Sequence, residues 1–104
     1  MVGWVVPNLE RRRRRTNITD SEAKQILNRA ILETVENQLR DLDPPETKET
    51  FDRLLDAGYS DEEARELIGY VVAAEIFEIL KYMKPFDHQR FVNALRRLPE
   101  LPQE

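Results

Sequence analysis

Two segments of this chain share one spacing, a hydroxyl residue followed three positions later by glutamate: Thr19 with Glu22, and Ser60 with Glu63. That spacing starts a helix. The hydroxyl accepts from the backbone amide of the third helical residue, and the glutamate reaches back to the amide of the capping residue. Pro44-Pro45, Gly58 and Pro85 supply the stops. A residue before proline avoids the α region, proline itself fits the first turn of a helix, and glycine takes the left-handed conformation that ends one. These signals alone cut the chain into four helical stretches.

The apolar periodicity agrees with them. In the first stretch Leu27, Ile31, Val35, Leu39 and Leu42 recur at three to four residues, with Ile26 and Ala30 widening the stripe. The spacing predicts a helix from the Thr19 cap to near Asp41. The second helix runs over about 45–56 and buries Phe51, Leu54 and Leu55. The third runs from the Ser60 cap to about Met83. Its apolar set, Ala64, Leu67, Ile68, Val71, Val72, Ile76, Phe77, Ile79, Leu80 and Met83, wraps more than one face. That marks it as the central helix, with the other two short helices as covers. Asp87 caps a fourth helix over 88–98, which buries Phe91, Val92, Leu95 and Leu98, and Pro99 and Pro102 close it. No stretch alternates with period two over a useful length. The fold class expected is all-α: a four-helix domain of two longer and two shorter helices, with an N-terminal arm. Residues 1–18 form the arm, 19–99 the helical domain and 100–104 a C-terminal tail.

The remaining composition narrows function mostly by exclusion. A chain of 104 residues fits one domain. It has no Cys and a single His, His88. That excludes disulfides, thiolate metal sites, a Cys nucleophile and a His-pair metal site within one chain. The most apolar stretch, 67–80, contains Glu75 and Glu78 and is shorter than the about 20 residues a membrane span needs. No membrane association is expected, and the setting expected is the cytoplasm. The net charge of −4 divides unevenly: residues 1–16 carry +4 and the rest −8. An acidic body disfavours non-specific binding of nucleic acid. The arm differs. Its run Arg11, Arg12, Arg13, Arg14 and Arg15 is a block of like charge, expected to be partly disordered unless Trp4 docks on the body or on a partner. Such a run can pair with phosphates or with an acidic partner. A solvated linker, or a clamp onto the acidic body, is the favoured reading.

Other candidate chemistry is sparse. Glu62 and Glu66 share a helix face, as do Glu33 and Glu36. Were the first and third helices to pack together, Glu36, Glu62 and Glu66 would be the candidates to converge on a hard cation. Solvated helix faces are the favoured reading of the same residues. Asn37 and Gln38 sit mid-helix, and one of them is expected to bridge to the buried start of the second helix. Glu75 and Glu78 interrupt the third helix, marking its outer edge or an ion pair with an Arg such as Arg96. Gly69 is expected to permit close helix packing. No nucleophile–His–carboxylate set, phosphate-binding glycine loop or catalytic residue is identified, and no cofactor is expected.

The stretch from Leu27 to Pro99 resembles a small bacterial family of helical domains of unknown function. The likeness rests on Val35-Glu36-Asn37-Gln38, Pro44-Pro45, Arg53-Leu54, Gly58, and Glu63-Ala64 before Ile68. Members of that family often carry His pairs on these helices. The matching positions here hold Asn28 and Leu32, then Glu62 and Glu66. The resemblance implies the fold and, if His carries function in the relatives, a function altered or lost here. The expectation is a protein of unknown function that is a small, non-enzymatic association domain, homodimeric through its first and third helices, with Leu67, Val71, Val72 and Phe77 on the contact surface. The alternatives are a degenerate metal-binding or hydrolytic domain with a carboxylate cluster, and an Arg-rich arm that contacts nucleic acid or an acidic protein partner.

Overall fold

The computed structural model describes residues 19–102. These form four helices, α1 (Asp20–Asp41), α2 (Pro45–Asp56), α3 (Asp61–Tyr82) and α4 (His88–Arg97). There is no strand among the described residues. The all-α class, two longer helices and two shorter ones, is as the sequence spacing predicts. The arm expected over residues 1–18 lies outside the described residues, and so does the end of the tail.

Local chemistry sets the boundaries. Both capping boxes are closed: Thr19 Oγ1 accepts from Glu22 N–H at 3.0 Å and Glu22 Oε1 from Thr19 N–H at 3.0 Å. The equivalent Ser60–Glu63 bonds are 3.0 and 2.9 Å. Asp87 caps α4 by accepting from Arg90 N–H. Gly58, at φ +102°, ends α2. There Tyr59 N–H donates to Leu54 O and Gly58 N–H to Leu55 O, the paired bonds of a Schellman turn. The other two left-handed ends use poorer residues, Leu42 at φ 55° and Met83 at φ 53°.

α2 and α3 each pack on all three other helices, whereas α1 and α4 do not pack on each other. The core joins Ile31 and Val35, Phe51 and Leu54, Ala64, Ile68, Val71 and Val72, and Phe91, Leu95 and Leu98. α2 is therefore more than the cover expected of it. It buries Thr47 and Thr50 besides Phe51 and Leu54. Its Arg53 donates to Leu98 O at 2.8 Å and Leu95 O at 3.0 Å, satisfying carbonyls that end α4. Leu55, expected inside, is turned out.

The first helix departs most from its expected stripe. Residues 20–30 of α1 are all exposed, Ile26 and Leu27 among them. The reason is coverage: α2 has only 12 residues, and α4 packs elsewhere. Leu42 is exposed because it has left the helix for the left-handed turn.

Candidate functional site

Two contacts fix how α1 meets α3. A Cβ placed on Gly69 would lie 3.3 Å from Ile31 Cγ2, so the absence of a side chain lets the helices approach closely, as expected of this glycine. Four to five residues away, the Arg65 guanidinium pairs with Glu36 across the seam and with Asp61 one turn back on its own helix. It also lies over the Phe51 ring, 5.1 Å from its centre. The Asp61 hydrogen bond, then the charge of Glu36, raises the Arg65 pKa further above its ordinary value. As sequence number rises on one helix across these contacts, it falls on the other, so α1 and α3 are antiparallel. The same register sets the first half of α1 level with the second half of α3.

This seam engages one of the carboxylate candidates. Glu36 is committed to Arg65, and Glu62 and Glu66 are exposed on α3. Among the described residues no three His, Asp or Glu side chains are grouped so as to hold a metal ion. A shallow depression lined by Gln25, Asn28, Arg29, Leu32, Glu33 and Glu36 is walled by α1 alone and is open surface.

Two polar residues of the interior, Gln38 and Glu75, have partners within the fold. Gln38 bridges to the start of α2 as expected, its Oε1 accepting from Thr47 Oγ1 at 2.9 Å, while Asn37 is exposed. Glu75 is buried at 6% exposure and pairs with Arg90, not with Arg96. Its two oxygens accept from Arg90 Nε at 3.0 Å and Nη2 at 2.8 Å, and Oε1 also accepts from Asp87 N–H. The correction has a simple cause. The α3–α4 corner brings the first turn of α4 onto Glu75, and Arg96 lies at the other end of that helix. The pair raises the Arg90 pKa.

What remains is a face. Val71 and Val72, expected on the association surface, are 1% and 5% exposed and belong to the chain's own core. Leu67 is half-buried against that core. Phe77 is 60% exposed, and so in similar measure are Tyr70 and Leu80, at 56% and 67%. Ile26 and Leu27 of α1 are also exposed, on the stretch level with this part of α3. Tyr70, Leu80 and these α1 residues are absent from the expected surface. For Tyr70 the signal is its spacing of seven residues from Phe77, which sets both on one side of α3. Tyr82, Met83 and Phe86 continue the exposed apolar residues around the α3–α4 turn. No helix among the described residues is long and apolar enough to cross a membrane. The Arg11–Arg15 run lies outside the described residues.

No family model matches this chain, and no curated protein or solved structure is similar to it.

Proposed function

We propose that this chain is a non-enzymatic association domain of the cytoplasm, that its working surface is the open face of α3 with the adjoining half of α1, and that its partner is a second copy of itself. The observation that supports this is Phe77, 60% exposed, one turn from Leu80 and two turns from Tyr70, which are exposed in similar measure. Contiguous exposed apolar surface of this kind marks interaction sites. An aromatic side chain of about 200 Å², if its 60% exposure were lost on association, would contribute ~3 kcal/mol per copy at about 25 cal/mol per Å². The polar groups that would otherwise suggest chemistry have structural partners: Glu36 and Asp61 hold Arg65, and Glu75 holds Arg90.

Sedimentation velocity tests the proposal. A chain of 12.3 kDa is expected to sediment as a dimer in the micromolar range. Phe77→Asp is expected to shift it to the monomer with its helical circular dichroism intact. A wild-type chain that stays monomeric throughout that range refutes the reading.

A further inference from the structure

We infer that the two copies pair through α3 in an antiparallel, two-fold seam centred between Ala73 and Ala74, with Glu66 of each copy opposite the partner's Lys81. The inference rests on the association reading and deepens it.

The open stripe of α3 consists of Glu66, Tyr70, Ala73, Ala74, Phe77 and Lys81. At 3.6 residues per turn these six fall within an arc of about 100°, and only Ala73, at one edge of that arc, also packs against the core. Tyr70 and Phe77 are more than half exposed, Ala73 and Ala74 are half-buried, and Glu66 and Lys81 are exposed. The sequence of the stripe is self-complementary about its middle. A two-fold axis between Ala73 and Ala74 brings Tyr70 against the partner's Phe77, an aromatic pair on each side of the centre. It brings Glu66 against the partner's Lys81 at each end. The small residues fall at the crossing, where two helices approach most closely, about 8–10 Å between axes. Each contact then occurs twice, as a two-fold interface requires.

Charge selects the direction. A parallel pairing of the same stripe sets Glu66 on Glu66 and Lys81 on Lys81. The antiparallel one sets opposite charges together and also opposes the two helix dipoles. Neither Glu66 nor Lys81 has an ion-pair partner among the described residues of its own chain, and Lys81 meets only the Tyr82 ring, at 5.3 Å. The flanks carry the same polarity, with Asp61, Glu62 and Glu63 at the start of α3 and Lys84 after its end.

The test is charge reversal at the two exposed ends, read by sedimentation equilibrium at low salt. Glu66→Lys and Lys81→Glu are each expected to weaken dimerisation about tenfold, since each turns two attractions into two repulsions. The double variant, Glu66→Lys with Lys81→Glu, is expected to recover the wild-type affinity to within about threefold. Circular dichroism and thermal melting of each variant check that the fold is kept. Single variants that dimerise like the wild type overturn the seam and leave the association reading standing. A double variant as weak as the singles also overturns the seam. A wild-type chain that is monomeric overturns both.

Discussion

Thr47 is 0% exposed and stands in the first turn of α2, where its hydroxyl donates to Gln38 Oε1 at 2.9 Å. This bond joins the last turns of α1 to the start of α2 and gives a buried polar group its partner. Thr47→Val keeps the shape and removes the donor. The lost hydrogen bond is worth about 1 kcal/mol, and leaving a half-buried amide oxygen without its donor adds to that. The new methyl group returns part of the loss by burial. The net expectation is a destabilisation of about 1 kcal/mol, which in a domain of this size lowers the melting temperature by about 4–8 °C. Gln38→Met removes the other partner. If the bond is what matters, the two substitutions are not additive, and the double variant costs about 1 kcal/mol less than the sum. Thermal unfolding followed by circular dichroism measures all three. A Thr47→Val chain as stable as the wild type, or a strictly additive double variant, refutes the assignment.

Three further outcomes follow from the same structure. Met83 is 86% exposed in the left-handed conformation, which disfavours a side chain by about 1–2 kcal/mol. Met83→Gly, after the greater flexibility of the unfolded chain is subtracted, should raise stability by ~0.5 kcal/mol in denaturant titration. Gly69→Val places two methyl groups where even a Cβ lies 3.3 Å from Ile31 Cγ2, and should cost about 1–3 kcal/mol by overpacking, again read from denaturant midpoints. The Thr19 backbone amide and then its hydroxyl hold the Glu22 carboxyl below its ordinary pKa. Glu22 therefore favours the folded first turn above the ordinary glutamate pKa, and that contribution fades as the pH falls through the lowered folded value. A carboxyl NMR titration should show Glu22 with a lower midpoint than an unpartnered glutamate.

The boundaries of the fold were legible because they are local. Thr19 with Glu22, Ser60 with Glu63 and Gly58 each satisfy backbone groups within a few residues of themselves, so spacing alone identifies them. Gln38 was also legible, since an amide in the turns just before a proline restart needs a partner nearby. The partner of Glu75 was not. It depends on which end of α4 reaches α3, a property of the turn between them, and Arg90 and Arg96 both stand on that helix. The exposed half of α1 was illegible for a similar reason. Its Leu27 continues the stripe of Ile31 and Val35, and only the shortness of α2 and the position of α4 leave it uncovered.

α3 combines both situations. It carries one stripe for its own chain, through Ala64, Ile68, Val71 and Val72, and a second through Tyr70, Ala73, Ala74 and Phe77. Superposed in one sequence, the two stripes read as a helix apolar on most sides, which predicts a central element but cannot say which side is spare. The sequence pattern therefore sets Val71 and Val72 beside Phe77 on the association surface and passes over Tyr70. The placement of α2 and α4 separates the stripes by covering one of them. The uncovered stripe ends in Glu66 and Lys81, at equal distances from its centre and with opposite charge. Burying the first stripe requires nothing of those two residues. Antiparallel pairing of the second uses both, so charge reversal at Glu66 and Lys81 probes association while leaving the core intact.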